Sequence, residues 1–129
     1  MSDFKRLKVW RKAHALALNV HRVVVRMRGS DTAPLRSQML RAAMSIPTNI
    51  VEGTGQPSGR EFGRFLSIAL KSTSELEYHL IIARDIRAIA VTDFNSLSSQ
   101  AIEVRKMLHG LRNRVVASSG RPRSNVPAS

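Results

Sequence analysis

The fold of this chain is decided by residues 38–53, which read Gln-Met-Leu-Arg-Ala-Ala-Met-Ser-Ile-Pro-Thr-Asn-Ile-Val-Glu-Gly. Met39, Ala43, Ile46 and Ile50 recur at steps of three and four residues, the spacing of one face of an α-helix. Small residues beside this face predict close packing against a second helix. Residues 38–53 therefore indicate a helix of a helical bundle.

The same periodicity occurs three more times, whereas no alternating strand pattern persists. The caps Thr32, Ser58 and Thr92 open the later helices, and Ser58 forms a capping box with Glu61. Pro47 predicts a kink in the second helix. The predicted helices span about 5–28, 33–52, 59–89 and 93–116.

Connections of a few residues favour antiparallel neighbours, so we predict an all-α, up-down-up-down four-helix bundle. Residues 1–117 form its single domain. Residues 118–129 are polar and rich in proline, which predicts a flexible basic tail.

Composition excludes several classes of protein. The 129 residues contain no cysteine, which rules out disulfides, thiolate metal sites and a cysteine nucleophile. No apolar run is long enough for a membrane span, and the charged residues 1–12 have no apolar signal-peptide segment behind them. We expect a soluble, cytoplasmic protein with no membrane partner.

The formal net charge of +12 is concentrated at the two ends of the chain. Residues 1–28 carry eight Lys/Arg and one Asp, and residues 96–129 carry six Lys/Arg and one Glu. Residues 29–95 carry seven of each sign. Up-down topology makes the first and fourth helices neighbours, so the excess charge collects on one side. This side is predicted to attract a polyanion, although a merely solubilising surface explains the same charge.

A polar line runs beside the apolar faces of the second and third helices. It predicts either a ligand-binding cluster or, as we favour, a structural network in which Arg41 pairs with a glutamate of the third helix. The network residues are Gln38, Arg41, Ser45, Asn49, Glu52, Glu75 and Glu77. No nucleophile–base pair is suggested, and the four histidines lack metal-ligand spacing, so we predict no enzyme, no metal and no cofactor.

The chain also has more apolar residues than a monomeric bundle buries. Those outside the core stripes predict self-association, because contiguous exposed apolar surface usually marks an interface. The predicted interface residues are Leu40, Met44, Val51, Tyr78, Ile82, Ile86 and Ile89.

Several motifs together resemble one known family. They are Leu7-x-Val9-Trp10, Gln38-x-x-Arg41-Ala42-Ala43-x-Ser45-Ile46-Pro47-x-Asn49-Ile50-x-Glu52-Gly53, Ser58-x-x-Glu61-Phe62-x-x-Phe65-Leu66-x-Ile68-Ala69 and Ser74-Glu75-Leu76-Glu77. Over about residues 4–90 they are similar to the 23S rRNA intervening-sequence proteins, also called four helix bundle proteins.

The resemblance implies an antiparallel bundle assembled as a homopentamer around a central channel, without known catalytic activity. Some members are encoded within large ribosomal RNA. A related branch is the accessory protein of diversity-generating retroelements, a basic pentamer that binds the reverse transcriptase and its template RNA. Arg11 departs from the glutamine common after the tryptophan.

Charge and resemblance together predict a non-enzymatic, oligomeric scaffold that binds nucleic acid, RNA in particular, for a ribosomal or reverse-transcriptase machine. The predicted contact residues are Lys5, Arg6, Lys8, Arg11, Lys12, Arg22, Arg26, Arg105, Lys106, Arg112 and Arg114. The alternative is a protein-interaction module whose basic face docks an acidic protein, without nucleic acid.

Overall fold

The computed structural model describes residues 3–120, which form four long helices. These are α1 (Lys8–Val24), α2 (Ala33–Thr54), α3 (Gly59–Asp85) and α4 (Val91–Gly120), with single 3-10 turns at Phe4–Arg6 and Ser30–Thr32. No strand occurs in this part of the chain. The all-α class predicted from the sequence is confirmed.

Each helix packs against two neighbours: α1 against α2 and α4, and α3 against α2 and α4. Across residues 3–120 the diagonal pairs, α1 with α3 and α2 with α4, have no Cα atoms within 8 Å of each other. Because consecutive helices are joined by short connections, this square arrangement is that of an antiparallel four-helix bundle. The arrangement places α1 directly beside α4.

The core is built from the apolar stripes that the sequence shows. Leu16, Met39, Ile46, Leu76 and Leu80 are fully buried. α4 adds a stripe at steps of three and four residues, consisting of Leu97, Ala101, Val104 and Leu108. In residues 3–120 no helix is both long and apolar enough to cross a membrane.

The helix ends differ from the predicted ones in several places. α1 begins at Lys8 instead of residue 5, and α2 continues through Pro47 as one helix to Thr54. α4 begins at Val91, so Thr92 lies inside the helix and is not its cap. The helix also includes residues 118–120, which were predicted to belong to the tail; residues 121–129 lie outside the described part.

The start of α3 is capped by Ser58, as predicted, but the predicted capping box forms only in part. The Ser58 hydroxyl accepts a hydrogen bond from the Glu61 backbone N–H at 3.2 Å. The Glu61 carboxylate binds Arg64 instead of returning to the Ser58 backbone, so half of the capping box forms. Thr32 precedes α2, but its hydroxyl donates to the carbonyls of Arg28 and Gly29 and caps no helical N–H.

Gly53 lies where the backbone of α2 packs tightly against side chains of α3. A Cβ at this position would lie 2.7 Å from Cδ1 of Phe62 and 3.1 Å from Cβ of Phe65. Gly55, two residues later, has its nearest such atom at 3.6 Å. Glycine at position 53 therefore lets the two helices pack together.

We expect Gly53→Ala to lower the free energy of unfolding by about 1–2 kcal/mol, because overpacking outweighs the better helix propensity of alanine. Chemical denaturation measures the loss, and Gly55→Ala is the matched control. Equal stability of both variants would show that the close packing of α2 against α3 does not require a glycine at position 53.

Candidate functional site

The side of the bundle formed by α1 and α4 carries most of the predicted contact residues. α1 contains no acidic residue, and α4 contains only Asp93 and Glu103. Lys12 pairs with Glu103 at 3.5 Å, and Arg26 pairs with Asp93 at 2.9 Å. Both carboxylates of α4 are thus neutralised, and among the remaining cations of the two helices only Arg105 has an ion-pair partner within residues 3–120.

Three of these cations surround a cleft between the N-terminal end of α1 and the C-terminal half of α4. Lys8, Lys106 and Arg114 are exposed and have no ion-pair partner among residues 3–120. The cleft has a volume of about 390 Å³ and is also lined by Leu7, Val9, Met107, Gly110 and Leu111. We call it the α1–α4 cleft.

Other predicted contact residues of α1 have structural partners. The Arg11 guanidinium donates to the carbonyl oxygens of Lys5 and Arg6, both at 3.0 Å, which holds the preceding 3-10 turn against the helix. Arg22 donates to Asn19, whose amide donates in turn to Gln100 of α4 at 2.9 Å. These bonds leave the positive charges exposed and fix their positions.

The other predicted contact residues are Lys5, Arg6 and Arg112, which differ in exposure and in their contacts. Lys5 is exposed, and Arg6 is exposed and lies 3.7 Å from Asp3. Arg112 is half-buried on α4.

Arg105 faces away from this side of the bundle. Its Nε lies 2.8 Å from Oε2 of Glu77 and forms an ion pair between α4 and α3. The hydrogen bond to Glu77 and the charge of that carboxylate raise the pKa of Arg105. Arg105 is therefore held in a bridge to α3, whereas its neighbour Lys106 has no such partner.

The predicted polar network between α2 and α3 is much smaller than expected. Ser72 donates to the hydroxyl of Ser45 at 2.8 Å, and the Asn49 amide donates to the Ser45 carbonyl at 2.8 Å. Glu77 belongs to the α3–α4 ion pair instead.

The predicted ion pair between Arg41 and a glutamate of α3 is wrong. Arg41 and Glu75 are exposed, and neither has an ion-pair partner among residues 3–120. Gln38 and Glu52 are exposed as well. The small Ser45 and Ser72 side chains make the contact between the helices, whereas the longer polar side chains lie on the exposed faces of α2 and α3.

Two apolar surfaces remain uncovered. The first is a groove of about 290 Å³ between α1 and α2, with Leu18, Leu40, Met44 and Pro47 in its lining beside His14 and His21. The second lies on α3, where Tyr78 and Ile86 are exposed and Ile82 is half-buried.

The other predicted interface residues are less exposed. Val51 and Ile89 are half-buried, and Ile89 packs against the core. Ile68 and Ile81, which are not among the predicted interface residues, are also exposed.

Aromatic side chains are more organised than the sequence suggests. The rings of Phe4 and Trp10 meet edge to face, and His14 stacks on Trp10 with its plane tilted by 6°. Trp10 and His14 stand at i and i+4, which is the one signal in the sequence that predicts this contact.

Residues 3–120 contain no group of three or more His, Cys, Asp or Glu side chains placed to hold a metal ion. The unpaired cations of the α1–α4 side are groups that attract anions.

Comparison with known proteins agrees with the helical fold. The family described as 23S rRNA-intervening sequence protein matches residues 5–110. No curated protein sequence matches the chain. Among solved structures, a protein of unknown function from the S23 ribosomal protein family of Bacteroides thetaiotaomicron is 26% identical with a TM-score of 0.76, over 81% of this chain and 97% of that chain. The chain belongs to the 23S rRNA-intervening sequence protein family.

Proposed function

We propose that this protein binds nucleic acid, RNA in particular, through the α1–α4 side of the bundle and serves as a non-enzymatic scaffold. The observation that carries the proposal is the excess of cations on two adjacent helices whose only two carboxylates are already paired. Such a surface attracts a phosphate backbone without reading its sequence.

The family supports RNA as the polyanion, since its description refers to 23S rRNA. The scaffold would then serve one of two systems. One is ribosomal RNA. The other is a reverse transcriptase with its template RNA, as in the related accessory proteins of diversity-generating retroelements.

Assembly into a homopentameric ring is part of the same proposal. The groove between α1 and α2 and the exposed surface of α3 are different apolar surfaces on one chain. When one of these surfaces binds the other surface of the next chain, the contact is head-to-tail. Such chains close into a ring when the rotation between neighbouring chains permits it. A ring would repeat the basic side around its circumference and multiply its attraction for RNA.

The test is a filter-binding titration of the protein with RNA across a salt series. We expect log Kd to rise steeply with log salt, by about 0.7 units for each phosphate contacted on a single strand. Stoichiometric binding of acidic proteins together with no binding of RNA would replace this proposal with the protein-interaction module.

Two adjacent residues of α4 provide a sharper prediction. We expect Lys106→Ala to weaken RNA binding about fivefold at 0.1 M salt, because one phosphate contact is lost. Arg105→Ala removes the same charge from the ion pair with Glu77 and is expected to leave RNA binding unchanged. The same titration compares the two variants, and equal losses would show that only net charge matters.

A further inference from the structure

We propose that the α1–α4 cleft seats an unpaired base of single-stranded nucleic acid, with the flanking phosphates on Lys8, Lys106 and Arg114. This inference rests on the proposed function and specifies the form of nucleic acid that is bound. It starts from the composition of the cleft, in which cations surround an apolar floor.

The rim and the floor of the cleft differ in chemistry. The rim supplies three exposed cations without ion-pair partners among residues 3–120. The floor is formed by apolar side chains, among them Met107, Leu111 and the buried Val9. A surface for phosphates alone needs no such floor, whereas a nucleotide presents a flat, weakly polar base beside its charged phosphate.

Met107 suits the flat face of a base particularly well. Its thioether is polarizable and makes favourable contacts with aromatic rings. The volume of about 390 Å³ falls within the range of small-ligand sites, roughly 300–1,000 Å³. The cleft is therefore large enough to hold one nucleotide.

The apolar floor favours a single strand over a duplex. In a duplex the bases are stacked and paired, so none reaches a floor between two helices without being extruded. In a single strand the bases can leave the stack and lie on apolar or aromatic side chains.

Gly110 gives a way to close the cleft without changing any charge. A Cβ at this position would meet only Nη1 of Arg114, at 3.5 Å, which is an ordinary contact. A Cβ is thus accommodated at position 110, and because Gly110 lines the cleft we expect the leucine of Gly110→Leu to occupy it. Asn113→Leu adds the same side chain at an exposed position of α4 outside the cleft lining and is the matched control.

The experiment compares a short oligouridylate with an oligomer of the same length and backbone that lacks the bases. We expect the parent to bind the oligouridylate about tenfold more tightly. This preference should disappear in Gly110→Leu and persist in Asn113→Leu, with thermal unfolding by circular dichroism showing that both variants are folded. Equal binding of both oligomers by the parent overturns the base site and leaves the proposed function standing. Binding of neither oligomer, nor of duplex RNA, overturns the proposed function as well.

Discussion

Met44→Lys combined with Ile86→Lys is expected to convert the proposed ring into a monomer of 14.3 kDa. Met44 lines the groove between α1 and α2 and is 54% exposed, and Ile86 at the end of α3 is 55% exposed. In a head-to-tail ring these two surfaces face each other, so each contact would bring two positive charges together among apolar groups. Burying a charge without a suitable partner costs several kcal/mol, which is enough to dissociate a modest interface.

Light scattering at micromolar concentration measures this change. The parent should have a mass several times that of one chain, and the double variant the mass of a single chain. Both positions are exposed in the single chain, and a lysine at position 86 suits the negative end of the α3 dipole, so the bundle should remain folded.

Val91→Glu is the control for oligomerisation, since Val91 is 62% exposed and lies outside both surfaces. It should leave the mass of the assembly unchanged. A parent that is already monomeric would reject the ring, and a double variant with the parental mass would place the contact elsewhere.

The core and the helix count were predictable because burial follows a simple period. Val9, Ala13, Leu16 and Val20 recur at the helical spacing, and all four are buried. On α2, Met39, Ala43, Ile46 and Ile50 follow the same rule. Four such stripes joined by short connections leave few topologies other than an antiparallel bundle.

The helix ends were less predictable because backbone conformation there depends on local bonding. The predicted third helix runs to residue 89, whereas α3 ends at Asp85. Arg87 has a φ of 60°, and the Ala88 N–H donates to the Ala83 carbonyl across the helix end. This closing turn usually carries glycine at the position of Arg87, so the sequence lacks the ordinary signal for it.

The pairing of charged side chains could not be predicted from the sequence at all. Arg105 and Lys106 are neighbours with the same sign, yet one bridges to α3 and the other stands at the rim of the α1–α4 cleft. Successive residues of a helix point about 100° apart, so adjacent cations reach different helices. Which of them meets a carboxylate depends on the register between helices, and the sequence pattern leaves that register open.

Simultaneous reversal of Lys8, Lys106 and Arg114 to glutamate is expected to abolish RNA binding at 0.1 M salt. Each of these residues is exposed and has no ion-pair partner among residues 3–120, so folding should be little affected. Losing three phosphate contacts lowers affinity about 100-fold and flattens the salt dependence by about two log units. The three new carboxylates add repulsion to that loss. Filter binding across a salt series measures both quantities.

Reversal of Arg41, Arg60 and Lys71 to glutamate is the control, because it changes the net charge by the same amount on α2 and α3. These three side chains are also exposed and lack ion-pair partners within residues 3–120. If a specific basic side binds the RNA, the control should keep most of its affinity and nearly all of its salt dependence. Equal loss in both triple variants would mean that RNA responds to the total charge of the bundle, and the α1–α4 side would then have no special role. The contrast between the two variants thus separates a located binding surface from a general attraction of a basic protein for a polyanion.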